Sequence, residues 1–286
     1  MKKGKQFSPT RLFLRQFTGN RLAMVGLIIV AGLVLVAALA SVVAPMDPTQ
    51  QSLPDKRAKP GGKFLLGADE FGRDILSRLI YGTRAALFVG TVSIAIALFF
   101  GIILGTVTGY FGGMTDALVM RAIDILLAFP YLLLAIAVVS AIGPGILNTT
   151  IAVGIWATPG FARIIRSSVL TIKVSDYIQA ARAVGASSPR IILSHVIPNF
   201  ISPMIVYATL YMANAILVEA ALSFLGLGVQ PPTPSWGLMV SSGRDYLLSS
   251  PHISTFPGIA IMITVLGFNL LGDGLRDSLD PKLRNL

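Results

Sequence analysis

The chain has 286 residues, of which 54% are hydrophobic and only 13% are charged, and this balance supports a membrane protein. It has no cysteine and only two histidines, which excludes disulfides and thiolate metal sites and argues against an intrinsic zinc site. The net charge of +10 does not require a nucleic-acid partner, because basic residues that flank apolar segments orient membrane helices.

Six segments without Asp, Glu, Lys or Arg are candidate membrane spans. A bilayer core of about 30 Å needs roughly 20 apolar helical residues to cross it. The third and fourth segments are short and need flanking residues, and none alternates as a barrel strand does. The predicted fold class is therefore an all-α integral membrane protein with about six transmembrane helices. In chain order the segments are 22–44, 85–109, 125–142, 146–162, 199–218 and 253–272.

The N-terminal stretch 1–21 is basic and has no acidic residue. The apolar segment after it is too long for a signal-peptide core and has no convincing cleavage site. We therefore expect a first helix at 22–44 that keeps the N-terminus in the cytoplasm. Alternating spans then place 45–84 outside and 163–198 inside, with a cytoplasmic tail at 274–286. The basic residues of the N-terminal stretch are Lys2, Lys3, Lys5, Arg11, Arg15 and Arg21.

The outer segment 45–84 divides into a proline-rich linker and a charged string. Residues 66–78 read LGADEFGRDILSR and predict an amphipathic, interfacial helix that leads into the second span. Two interpretations of its charges remain open, a role in substrate handling and local ion pairs.

Four glycines recur at every fourth position of the second apolar segment, and they are predicted to share one helix face. Small residues at this spacing let helices approach closely within a membrane. The contact is either packing within this chain or packing against another subunit. Prolines at 130, 159, 203 and 257 predict bent helices. The glycines are Gly101, Gly105, Gly109 and Gly113.

The polar insert 163–198 predicts a pair of short helices. An alanine-rich helix over 177–184 is followed by Gly185, which supplies a turn without a side chain. Ser188 is a candidate N-cap with Pro189 at the first position of a second helix, and Pro198 closes that helix.

The insert contains Gln179-Ala180-Ala181, then three residues and Gly185, and a hydrophobic–proline pair that ends at Pro198. This pattern resembles the EAA loop of ATP-binding cassette (ABC) importer permeases, and the resemblance implies a helical plug for a groove on an ATPase. The family usually has Glu where this chain has Gln179, which puts a salt bridge there in doubt. The alternative is an ordinary connecting loop. The ATPase-coupling residues implied by the resemblance are Tyr177, Gln179, Ala180, Ala181, Arg182, Gly185, His195 and Pro198.

Further strings at 67–78, 121–130, 222–237 and 268–281 resemble the dipeptide/oligopeptide/nickel subfamily of these permeases, and the closest match is to the C-type subunit. The resemblance implies a type I importer permease fold with a five-helix core over 85–273, in the inner (cytoplasmic) membrane. It implies a homologous second permease, two ATPases that hold ATP and Mg, and an extracytoplasmic solute-binding protein. Di- or oligopeptides are the expected cargo, and nickel chelates, glutathione and short saccharides stay open.

Three polar residues lie in or beside the apolar spans, and they are candidates for the translocation path. An unpaired carboxylate in hydrocarbon is costly, so Asp124 and Glu219 should face a cavity or a partner. Asp124 could instead pair with Arg121, and Glu219 could hold helix ends together. Asn214 completes the set.

No enzyme signature is present in the sequence. It has no phosphate-binding loop, no Gly-x-Ser-x-Gly elbow and no His-Glu-x-x-His helix. We therefore expect no catalytic residue, no bound cofactor and no ATPase site in this chain. A membrane scaffold or sensor that docks a regulatory protein is the alternative from another class.

Overall fold

The structure is a computed structural model that describes residues 9–279, with side chains from Phe13 onward. The predicted basic residues before Pro9, the side chain of Arg11 and the tail after Leu279 lie outside this description. The described residues form twelve α-helices. They are α1 (Pro9–Gly19), α2 (Arg21–Ala38), α3 (Ala40–Val43), α4 (Ile75–Phe111), α5 (Gly113–Ala128), α6 (Tyr131–Ile142), α7 (Ile146–Ile172), α8 (Asp176–Ala183), α9 (Ser188–Ile191), α10 (Ile197–Phe224), α11 (Trp236–Gly243) and α12 (His252–Leu279).

Four helical stretches within residues 9–279 are long and apolar enough to cross a membrane. They are Arg21–Ala38, Ile75–Phe111, Ser188–Phe224 and His252–Leu279. A fifth crossing is obtained if α5 and α6 count as one broken span. The all-helical membrane fold is therefore confirmed, but the predicted six spans exceed by one the number that length and composition support.

The missing span is the predicted segment 146–162, which lies in α7. This helix has 27 residues and is about 40 Å long, but its composition is not apolar enough for a membrane span. Eleven of its residues are buried, among them Thr149, Thr150 and Pro159. Because α7 contacts other helices of the chain on much of its surface, it can be less apolar than a helix that faces lipid.

The predicted span 125–142 is broken at Pro130. The helices on its two sides, α5 and α6, meet at an angle of 97°. Proline disfavours helical backbone in the residue before it, and Phe129 is accordingly extended, with ψ at 137°. Pro159, Pro203 and Pro257, by contrast, lie inside continuous helices.

The pair formed by α4 and α7 makes the most extensive helix–helix contact among the described residues. A Cβ atom added at Gly101, Gly105 or Gly109 would lie 2.6–2.8 Å from atoms of α7, so these three glycines allow a close approach within the chain. The prediction that Gly113 shares this helix face is wrong. The helix ends at Phe111, and Gly113 begins α5 with φ at +61° and open space around its Cα.

The helices place two groups of loops at opposite ends of the bundle. At the first, which we call the coupling end, the Lys173 ammonium donates to the Gly109 carbonyl at 2.8 Å. The side chain of Asn20 also donates to Asp277 at 3.3 Å, so the start of α2 lies next to the end of α12. At the second, the opposite end, the indole of Trp236 donates to the Leu79 carbonyl at 3.0 Å.

The segment before α4 folds as an irregular loop at the opposite end. The interfacial helix predicted from 66–78 does not form before Ile75, because the Asp74 carboxylate accepts from the Ser77 amide at 2.7 Å and caps α4 there. Four of the five charged residues of this string are buried, and Glu70 is half-buried: Arg73 pairs with Asp69 at 2.6 Å, and Arg78 donates to the Pro48 carbonyl at 3.0 Å. The ion pairs are therefore internal supports of the loop.

Candidate coupling and translocation surfaces

The two short helices of the insert are joined by a turn that requires glycine. Gly185 has φ at +82°, which L side chains rarely adopt. Its amide donates to the Arg182 carbonyl at 2.9 Å, and the Ala186 amide donates to the Ala181 carbonyl at 3.0 Å. This pair of bonds is the Schellman arrangement that closes a helix C-terminus. The predicted glycine turn after α8 is thus present in the structure.

The helix α8 is anchored to the bundle by its inner face. Ile178 is fully buried in the main hydrophobic cluster, and Ala181 packs partly against the same cluster. The guanidinium of Arg182 lies 5.2 Å from the ring centroid of Tyr110, the penultimate residue of α4. The Tyr110 hydroxyl also donates to Ser188 at 3.5 Å. These contacts join the knob formed by α8 and α9 to the long helix α4.

The outer face of α8 carries Tyr177, Ala180 and Val184, which are exposed and spaced as one helix face. Val184 is 84% exposed, and Leu193, nine residues further on, is 66% exposed. Exposed apolar side chains in a polar insert are candidates for an interaction site. The sequence prediction named Tyr177 and Ala180 but missed Val184 and Leu193, whose apolar character within a polar insert was the available signal.

The other predicted coupling residues are distributed differently. The Gln179 side chain folds back and donates to the Val174 carbonyl at 3.1 Å, while Gly185 and Arg182 are exposed. His195 is half-buried and its carbonyl accepts from Asn199 at 2.6 Å. Ala181 lies towards the body of the chain, so it does not form the outermost surface of the knob.

The second short helix does not close at Pro198. Ser187 rather than Ser188 occupies the N-cap position, and the helix continues through a π turn over Ile192–Val196 directly into α10. Pro198 therefore lies in the first turn of α10 inside a continuous helical stretch, next to the π turn, and does not end the helix.

Ion pairs fix α5 against α7 near the coupling end. Asp116 accepts two hydrogen bonds from Arg166, at 2.5 and 2.6 Å, in a bidentate pair. Asp124 pairs with Arg163 at 2.5 Å, and both side chains are more than half exposed. Asp124 is thus paired with Arg163 of the neighbouring helix α7, and not with Arg121 of its own helix.

Glu219 and Asn214 lie on α10 but in different environments. Glu219 is 1% exposed, and its Oε1 accepts from Ser223 at 2.7 Å and from Ser235 at 3.1 Å. It therefore ties α10 to the loop before α11. Asn214 is exposed on the same helix and forms no side-chain hydrogen bond within the described residues. Asp124, Asn214 and Glu219 consequently do not form one site.

The fold defines a multi-pass membrane protein with an exposed helical knob at one end. Comparisons with known proteins give the class: the chain belongs to the family described as binding-protein-dependent transport system inner membrane component, whose profile matches residues 97–285. A second profile, the N-terminal transmembrane domain of oligopeptide transport permease C, matches residues 8–60. The resemblance to C-type ABC importer permeases is thereby confirmed.

Three relatives match nearly the whole length of this chain. A di/tripeptide transport system permease of Pseudomonas aeruginosa is 46% identical over 97% of this chain and 94% of its own length. A dipeptide transport system permease of Alkalihalophilus pseudofirmus is 45% identical, covering 97% and 91%. A glutathione transport system permease of Pectobacterium atrosepticum is 41% identical, covering 97% and 93%.

Solved structures support the same fold. A chain of the MetNI methionine ABC transporter in an inward-facing conformation superposes with a TM-score of 0.57, covering 71% of this chain and 96% of that chain. The two sequences are only 18% identical, so the likeness concerns the fold alone.

Proposed function

We propose that this chain is one of two homologous permease subunits in an ATP-driven importer of short peptides, and that it forms half of the translocation path. The observation that carries the coupling role is α8, whose outer face is exposed and apolar while its inner face is locked into the bundle. The names of the relatives, at 45–46% identity, support the peptide cargo.

The proposed mechanism transmits ATPase movement through the knob. Two partner ATPases hold ATP and Mg, and this chain contributes no ATPase site of its own. Their closure displaces α8, and the contacts of Arg182 with Tyr110 and of Lys173 with Gly109 pass that displacement to α4. The bidentate pair of Arg166 with Asp116 carries α5 along with α7. The bundle then alternates between outward-open and inward-open states.

The proposed orientation places the coupling end in the cytoplasm and the opposite end outside the inner membrane. Basic residues on α7 and in the insert support this, because cytoplasmic loops carry an excess of Lys and Arg. Both termini are then cytoplasmic, 45–84 faces an extracytoplasmic solute-binding protein, and 85–273 is the core permease domain. The basic residues are Arg163, Arg166, Lys173, Arg182 and Arg190.

Of the three candidate path residues, we assign Asn214 to the lining. Glu219 is enclosed by two serine hydroxyls and is proposed as a structural tie, and Asp124 as an ion-pair partner of Arg163. Glutathione is a second candidate cargo, because relatives at 41–43% identity are glutathione permeases and glutathione is itself a tripeptide.

The test is transport by the complete complex, with both permeases, both ATPases and the binding protein, in proteoliposomes. Ala180→Arg places a charge on the exposed face of α8, where a close-fitting partner must desolvate it at a cost of several kcal/mol. We expect loss of ATPase co-purification and of uptake. The control is Thr18→Arg, which adds the same charge to an exposed position of α1 at the same end. Normal ATPase binding and uptake in Ala180→Arg would overturn the coupling assignment.

A further inference from the structure

Five aromatic side chains from three helices form a continuous array, in which Phe161 is buried, Trp156, Tyr207 and Tyr211 are half-buried and Tyr131 is exposed. Tyr131 at the start of α6 lies 5.5 Å from Trp156 on α7, and Trp156 lies 6.1 Å from Tyr211 on α10, measured between ring centroids. Tyr211 continues the array to Tyr207 at 5.6 Å and to Phe161 at 5.0 Å. The array therefore crosses from α6 over α7 to α10.

Next to these rings lies an open cavity of about 260 Å³. Its lining contains amide, indole and phenol groups beside aliphatic carbon, and it contains no ionisable carboxylate, ammonium or guanidinium. The lining residues are Tyr131, Trp156, Tyr211, Asn214, Leu217 and Val218.

The polar atoms around the cavity are unused. Within residues 9–279, no hydrogen bond involves the side chains of Tyr131, Trp156, Tyr207, Tyr211 or Asn214. The phenol oxygens and the Asn214 amide are accessible at the cavity, and at this depth polar groups that face hydrocarbon without partners would be costly. These groups consequently need polar partners that the described chain does not supply, which indicates a hydrated passage.

The array is built into the fold, because it depends on close packing. Tyr207, Tyr211 and Asn214 follow the i, i+4, i+7 spacing and share one face of α10. Gly160 on α7 leaves the space that the Tyr211 hydroxyl fills, since a Cβ there would collide with it. Phe161, the next residue, is fully buried behind Tyr211.

We propose that this array is a transit site for the cargo, in which a short peptide contacts the rings and the Asn214 amide on its way through the membrane. The inference rests on the proposed function. The Asn214 side chain can donate to and accept from a peptide bond, and the ring faces accept either an apolar side chain or the N-terminal ammonium. Because no lining residue is charged, the site binds weakly and tolerates different peptide side chains.

The direct test is photolabelling during turnover. Proteoliposomes that contain the complete complex receive a transported dipeptide with a diazirine side chain, ATP and light, and the labelled residues are mapped by mass spectrometry. We expect ATP-dependent labels on Trp156 and on 211–218, which excess unlabelled dipeptide removes. If the dipeptide is taken up but these segments remain unlabelled, the transit site is refuted while the importer function stands. If no dipeptide is taken up, the proposed cargo itself fails.

Variants provide an independent measurement. Asn214→Leu keeps the side-chain size but removes the amide, and Trp156→Leu removes a ring face. Both should lower peptide transport per ATP hydrolysed by about 3- to 10-fold, the size of one aromatic or hydrogen-bond contact. The control is Phe99→Leu, which removes an exposed ring of α4 that does not line the cavity. Unchanged transport in both variants would overturn the proposal.

Discussion

Replacement of Gly105 by alanine should separate α4 from α7. The added Cβ would lie 2.6 Å from the Ala162 carbonyl oxygen and 2.8 Å from the Ile165 Cβ. An ordinary contact at this position begins near 3.4 Å, so the helices must move apart locally by about 0.8 Å, the difference between 3.4 and 2.6. Because the oxygen belongs to the backbone of a buried helix, no side-chain rotation can relieve the contact.

The expected cost follows from two opposing contributions. Overpacking a tight interior destabilises the folded state by about 1–3 kcal/mol, and the change from glycine to alanine in a helix stabilises it by roughly 0.5–1 kcal/mol. The net destabilisation therefore lies between about 0 and 2.5 kcal/mol, and its mid-range value of about 1.2 kcal/mol lowers an unfolding midpoint by about 2–5 °C in a chain of this size.

The assay is thermal unfolding of the purified chain in detergent, followed by fluorescence-detected size exclusion at a fixed heating rate. The matched control is Gly32→Ala on α2, because a Cβ at Gly32 meets no atom within 4 Å. We expect Gly32→Ala to match or exceed the wild-type midpoint. The reasoning is refuted if Gly105→Ala unfolds at the wild-type temperature, or if Gly32→Ala loses as much stability.

Three further predictions concern the loop at the opposite end, the knob and the orientation. Burial, aided by the nearby Asp69 carboxylate, raises the pKa of Glu70 above its ordinary 4.5, so the folded state holds this proton more tightly than the unfolded state. The resulting contribution to folding stability is present below pH 4.5 and is lost as the pH rises through the raised pKa. Unfolding midpoints measured over a pH series should therefore show this loss in the wild type and not in Glu70→Gln. Tyr110→Leu removes the ring beneath Arg182 and should lower transport per ATP hydrolysed by about 3- to 10-fold, while an unchanged ratio would contradict the proposed transmission. Gln51→Cys should react with an impermeant thiol reagent in whole cells and Ser187→Cys should not, and the reverse pattern would invert the proposed orientation.

Features set by local chemistry could be predicted from the sequence. Long uncharged segments predicted helices because a bilayer leaves the backbone no other partners. The glycine turn after α8 was predictable because a C-terminal glycine in a polar insert has a specific geometric role. The seam of Gly101, Gly105 and Gly109 followed from helical spacing.

Features set by tertiary contacts could not be predicted in this way. The charged string at 66–78 has helical periodicity, but its arginines bind buried partners in a loop. Asp74 is the N-cap, so the helix begins only at Ile75. Gly113 matched the glycine spacing, yet the chain turns at Gly112 before reaching it. The pairing of Asp124 with Arg163 could not be predicted, because Arg163 is 39 residues away and comes near only through packing of α5 on α7.

The length of α4 has a thermodynamic consequence. Its 37 unbroken residues extend for about 55 Å, from the folded loop at the opposite end to Tyr110 beneath the knob. If docking of a binding protein at the opposite end and nucleotide binding by the ATPases each favour one position of α4, linkage requires that each event changes the affinity of the other by the same factor. Measured affinities of the two partners for the complex should therefore change reciprocally.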